Sequence, residues 1–79
     1  IISNHNDRIA EFIANDLDRG FTILNGRGGY CDAKKDVILC VVSRWEIFKL
    51  RKTVMDIDPR AFIIISSVNE AFGEGFKSI

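Results

Sequence analysis

Apolar residues recur along the chain first at helical spacing and then in unbroken runs. After Ile1-Ile2-Ser3, which reads as the end of a strand, Ile9, Phe12, Ile13 and Leu17 fall on one helical face with Ala10 and Ala14 beside them. Asn4 suits the N-cap of this helix, Asp7 its first turn, and Gly20 a left-handed end. Asp16 and Asp18 oppose the helix dipole at that end, and Arg19 only partly offsets them. Phe21-Thr22-Ile23-Leu24 reads as a strand and 37–42 as a second, β-branched strand. Between them, 25–36 reads as a loop, long against the about two to five residues usual in a hairpin. Ser43-Arg44-Trp45-Glu46 has the S-x-x-E pattern of a capping box. It predicts a second helix running to about Asp56, with Ile47, Leu50, Val54 and Ile57 on one face. Asp58-Pro59 stops it, because the residue before proline is pushed out of the helical region. Residues 61–66 read as another strand, and 68–79, with Gly73-Glu74-Gly75-Phe76, as turn and irregular structure.

The order is (β)αββαβ in one domain spanning 1–79. It predicts a ferredoxin-like α+β sandwich, two helices on one face of an antiparallel sheet. The first strand is short or truncated, or is donated by a neighbour. The start at Ile1, without a basic and apolar leader, reads as a domain excised from a longer protein.

The strands do not alternate as a half-exposed sheet requires. Val37, Leu39 and Val41 point one way; Ile38, Cys40 and Val42 point the other. Phe62 and Ile64 likewise oppose Ile63 and Ile65. Two helices cover one face only. The other, assigned to Ile38, Cys40 and Val42, is expected either to join copies of the chain in a homo-oligomer or to be covered by the C-terminal tail. Trp45, Phe48 and Met55, among Lys49, Arg51 and Lys52, lie off the core face of the second helix. They form a surface for a partner or a membrane, or else they tuck against the loop and widen the core stripe.

Composition narrows the function. The 79 residues are 47% apolar and 28% charged, which is globular rather than disordered. Eleven basic residues balance eleven acidic ones, which argues against nucleic acid as a partner. One histidine and two cysteines give neither zinc spacing nor a disulfide scaffold, so no cofactor or metal is expected. No apolar run approaches the about 20 residues of a membrane-spanning helix.

The densest chemistry is Gly26, Arg27, Gly28, Gly29 and Tyr30. Glycines can turn backbone amides toward an anion, arginine can supply a forked donor, and tyrosine can stack. This set suits a small anionic ligand, or else it is a glycine-rich hairpin loop. It lacks the Lys-Ser/Thr of a P-loop and the spacing of the dinucleotide fingerprint. Cys31, with Lys34 and Lys35 nearby, has no adjacent base; Cys40 reads as core and His5 as a first-turn residue. Glu70, Glu74, Asp56 and Asp58 have no spacing that specifies acid–base work. With no nucleophile, base and orienting group in view, an enzyme is not expected.

The stretch Gly20-Phe21-Thr22-Ile23-Leu24-Asn25-Gly26-Arg27-Gly28-Gly29-Tyr30 resembles the G-x-T-x-L-x-G-x-G-G-Y segment of the C-terminal domain of YitT-type bacterial membrane proteins. Leu39-Cys40-Val41-Val42-Ser43-Arg44, Ile57-Asp58-Pro59-Arg60-Ala61-Phe62 and Gly73-Glu74-Gly75-Phe76 are similar to its later motifs, in the same order. The resemblance implies a multi-pass membrane region ahead of this domain and a position on the cytoplasmic side. In that family the domain is of unknown function; the glycine-rich loop and the doubly apolar strands lead us to expect a regulatory or ligand-sensing role, with structural oligomerisation or docking as the rival. More distantly, the order of elements is similar to PII-type signalling proteins. These are trimers with inward-facing sheets and nucleotides bound near the loop between the second and third strands, which implies a ligand cleft at Gly26 to Tyr30.

Overall fold

The computed structural model describes residues 1–69; the expected turn at Gly73-Glu74-Gly75-Phe76 lies outside the described residues. Four elements are present: α1 (Asn6–Asn15), β1 (Thr22–Arg27), β2 (Lys34–Leu39) and α2 (Arg44–Ile57). β1 and β2 form an antiparallel hairpin in which Ile23 faces Ile38 and Leu24 faces Val37. Ile2 makes antiparallel bridges to Val37 on one side and Phe62 on the other. The sheet therefore runs Phe62, Ile2, β2, β1, the strand order of the expected ferredoxin-like α+β sandwich.

The first strand is short but belongs to this chain. Ile2 and Phe62 exchange backbone hydrogen bonds of 2.8 and 2.9 Å, and the Ile38 amide donates to the Ile1 carbonyl at 2.9 Å. The strand expected over 61–66 contributes the single bridge at Phe62, because the facing segment offers only Ile2 as a partner.

The core lies between the sheet and the helices. Ile9 and Ile13 of α1, Ile38 of β2, and Leu50 and Val54 of α2 are its buried members. Both helices supply them at four-residue spacing, one above the other on a single face. Each such side chain contributes about 1.5–3 kcal/mol on full burial.

This placement reverses one expectation. Ile38 is 2% exposed, and Cys40 and Val42 pack against the same cluster. All three face the helices, not the open side of the sheet. The register carries the reason: Ile38 is opposite Ile23 and beside Ile1, whereas Val37 shares its face with Ile2, Leu24 and Phe62. The open face is thus Phe62, Ile2, Val37 and Leu24 in one row, with Leu39, 55% exposed, next to it. A run apolar on both faces leaves this choice of side undetermined in the sequence.

Three local expectations also change. α1 is not capped by Asn4: Ser3 Oγ accepts from the His5 amide at 2.9 Å just ahead of the helix. Its end is turned by Asp18 at φ 53°, not by Gly20, and the Arg19 amide returns to the Ile13 carbonyl at 3.1 Å. Aspartate is among the few non-glycine residues that tolerate this region, which accounts for an acid at an electrostatically poor position. The loop is 28–33 rather than 25–36, since Asn25, Gly26 and Arg27 pair with Asp36, Lys35 and Lys34. Polar side chains are at home there because this end of the hairpin is largely exposed.

The face assignment predicts opposite outcomes at adjacent positions. Ile38→Lys forces an unpartnered ammonium into the core, a cost that exceeds the stability of so small a domain. Circular dichroism should show Ile38→Lys unfolded and Leu39→Lys folded. A folded Ile38→Lys would overturn the register.

Candidate functional site

The hairpin tip is built by the pairing beneath it. The Gly28 amide donates to the Ala33 carbonyl at 2.7 Å, and the Asp32 amide to the Gly28 carbonyl at 3.0 Å. Asp32 takes φ 58°, so the left-handed residue of the turn is an aspartate. A Cβ at Gly26 would come within 3.0 Å of the Lys35 carbonyl oxygen. That glycine is needed for close strand approach, which removes it from the group free to cradle an anion. Arg27 Nε pairs with Asp32 Oδ1 at 2.9 Å, with both side chains about three-quarters exposed. Such a pair is worth about 0–1 kcal/mol and leaves the guanidinium open to another acceptor. Tyr30 is fully exposed at the apex. The five expected residues are contiguous along one strand end and tip, and they share no enclosed pocket.

A cleft of about 260 Å³ does exist between the start of α1 and the loop end of β2, lined by Ser3, Asn6, Asp7, Lys34, Lys35 and Asp36. Asn6 Nδ2 donates to the Asp36 carbonyl at 2.8 Å, while Asn6 Oδ1 and Asp36 Oδ1 are buried without a protein donor. The residue types gave no sign of this cleft, because it depends on α1 starting at Asn6 and β2 at Lys34. A larger apolar groove, about 1260 Å³, runs between the segment leading into α2 and residues 62–69.

Of the carboxylates singled out as candidate acids, Asp58 has structural partners, Asp56 is exposed, and Glu70 and Glu74 lie outside the described residues; the capping-box acid Glu46 is tied as well. Glu46 accepts from the Ser43 amide at 2.8 Å, which completes this arm of the expected capping box. It also pairs with Arg19 Nη2 at 3.0 Å, tying the end of α1 to the start of α2. Its hydrogen bond with Arg19 holds its carboxyl below the usual range. Asp58 accepts from Ser3 Oγ at 2.6 Å and from the Arg60 amide at 2.9 Å. Those donors, Ser3 first, hold its carboxyl below the usual range as well. Burial pushes the Cys40 thiol up, whereas Cys31 is exposed at the tip. Among the described residues no group of three or more His, Cys, Asp or Glu gathers in metal-binding geometry.

Residues 19–73, which include β1, the tip, β2 and α2, match the family described as "Uncharacterized protein conserved in bacteria (DUF2179)". The chain belongs to the DUF2179 family. A crystal structure of a DUF2179 protein from Eubacterium ventriosum superposes with a TM-score of 0.71 at 34% identity, covering 82% of this chain and 89% of that one. The UPF0750 membrane protein YpjC of Bacillus subtilis (strain 168) is 43% identical over 76 residues, 96% of this chain. The UPF0750 membrane protein YitT of the same organism is 32% identical over 73 residues, 92% of this chain. The resemblance to YitT-type membrane proteins therefore holds. The chain spans 26% of YpjC and 51% of a relative from Bacillus sp. (strain PS3), so this DUF2179 domain corresponds to a part of its curated relatives. No helix among the described residues is long and apolar enough to cross a membrane.

The Ser3–Asp58 contact makes stability of the DUF2179 domain depend on acid in a defined direction. The folded carboxyl titrates below its unfolded value of about 3.9, so its contribution is complete above that value. It is lost as pH falls through the folded value. Urea unfolding from neutral pH downward should show stability dropping in this acid window, with a shallower drop in Asp58→Asn. Equal acid dependence in both proteins would remove Asp58 from the account.

Proposed function

We propose that this domain is a non-catalytic regulatory module on the cytoplasmic side of a bacterial multi-pass membrane protein, working as copies packed through the outer faces of their sheets. The observation that carries this reading is the row Phe62, Ile2, Val37 and Leu24, flanked by Leu39 and Ile64 and turned away from both helices. Contiguous apolar surface of this kind marks an interaction site. A stable interface takes about 800 Å² from each partner, and a sheet face flanked by exposed isoleucine and leucine is suited to supply it. The assembly surface is thus Ile2, Leu24, Val37, Leu39 and Phe62, in place of Ile38, Cys40 and Val42. The domain's other partner is its own membrane region, whose state the packing of copies would bias by favouring one arrangement over another.

A second reading, that the module also senses a small anionic ligand, is favoured by one feature of the tip. Arg27 and Tyr30 are displayed beside Gly28 and Gly29, and the weak pair to Asp32 is their one recorded polar tie. On this reading Arg27 binds the anion and Tyr30 closes over it, with Gly26 setting the strand approach beneath them.

Light scattering over a concentration series tests the assembly. The unaltered chain should show a multiple of the monomer mass, and Leu39→Lys a monomer with unchanged circular dichroism. A monomeric unaltered chain at every concentration would sink the proposal. For the tip, a thermal-shift panel of nucleotides and small carboxylates should find one class that stabilises. A ligand at 100 times its dissociation constant adds about 2.7 kcal/mol. Arg27→Ala should weaken that ligand about tenfold or more, the value of a charged hydrogen bond. Undiminished binding by the variant would take the tip out of the site.

A further inference from the structure

We propose that the outer face of α2 rests on an anionic lipid surface. At about 3.6 residues per turn, Trp45, Phe48 and Lys52 fall on the side of the helix opposite the buried Leu50 and Val54. Trp45 is 84% exposed and Phe48 75%. Among the described residues these aromatics do not widen the core stripe and do not tuck under the loop; Trp45 borders the apolar groove and both rings face outward.

Cations outnumber acids around them, with Asp56 one turn beyond Lys52 on the same side. Arg44, Arg51 and Lys52 are exposed, and among the described residues neither ion pair uses a cation of α2. The acid of its first turn, Glu46, is held by Arg19, which leaves Asp56 as the exposed acid of the helix. Lys49 reaches back over the Phe12 ring, 6.0 Å from its centre. α1 presents Asp7 and Glu11 beside Arg8, so the exposed cations gather on α2 rather than α1, within a chain of zero net charge.

Exposed aromatic rings ringed by basic side chains match the chemistry of a bilayer interface. Rings settle at headgroup depth, and long basic stems reach outward to anionic lipid. Each basic residue near such a surface is worth about fivefold in binding, so three give a weak and reversible hold. The curated relatives are membrane proteins, and a tether to a membrane turns a weak hold into an effective one. Trp45, Arg44 and Arg51 border the apolar groove that also reaches Leu24, Val37 and Phe62, so the lipid contact adjoins the assembly surface and is tested apart from it.

Trp45 is the single tryptophan and reports on the contact directly. The chain can be studied alone, since the solved Eubacterium ventriosum relative is 89% covered by this domain. Vesicles of phosphatidylcholine with phosphatidylglycerol should move its emission to shorter wavelength and sediment the protein at low salt, with loss at high salt. Neutral phosphatidylcholine vesicles should do neither. Arg51→Gln and Lys52→Gln should each weaken binding about fivefold, and Phe48→Ser should reduce the emission shift, all with native circular dichroism. No shift on anionic vesicles, or an equal shift on neutral ones, would overturn the proposal. So would a shift that follows protein concentration without lipid, which would mean that a second copy covers this face. Repeating the titration in Leu39→Lys separates this result from failure of the sheet-face assembly.

Discussion

Two residues hold the sheet together. Ile1 and Ile2 lie between β2 and Phe62, and their backbone groups are bonded on both sides. Without them β1 and β2 are an isolated hairpin, marginal in water at best. With them, Ile1 joins the helix-side cluster while Ile2 continues the outer row. The same short segment ends in Ser3, whose hydroxyl binds Asp58 and accepts the His5 amide. Sheet, start of α1 and end of α2 therefore meet within three residues.

Much of this fold was legible in the pattern of side chains. Ile9 and Ile13, then Leu50 and Val54, sit at helical spacing and are the buried residues of their helices. Ser43 with Glu46, and Asp58 before Pro59, mark the limits of α2 within a residue. What the pattern could not carry was the side of the sheet. The β2 run is apolar in both phases, so its alternation gives no direction, and the cross-strand pairing decides which phase meets the helices. The hairpin was misjudged for a related reason. Asn25, Gly26, Lys35 and Asp36 resemble loop residues by type, yet at an exposed sheet end nothing excludes polar side chains from a ladder. The cleft at Asn6 and Asp36 depends on two element starts far apart in sequence, and no local signal encodes it.

The candidate site was legible as a set of residues but not as a geometry. Gly26, Arg27, Gly28, Gly29 and Tyr30 do lie together, but Gly26 serves strand contact and Arg27 is tied to Asp32. Two acids are spent on architecture: Glu46 clasps two helices, and Asp58 fastens the first strand to the last helix. The outer sheet row and the exposed side of α2 meet along the apolar groove that Leu24, Val37 and Phe62 share with Arg44, Trp45 and Arg51.

Ile2 and Phe62 come from opposite ends of the described chain, and their pairing fixes the order in which the domain can form. The β1–β2 hairpin and the two helices depend on near neighbours, whereas closing the sheet must wait for the whole of this stretch. During synthesis the hairpin and α1 are made before Phe62 exists, so the outer row stays unfinished until then. A domain arranged in this way completes the outer row of its sheet last, when its helices are already in place.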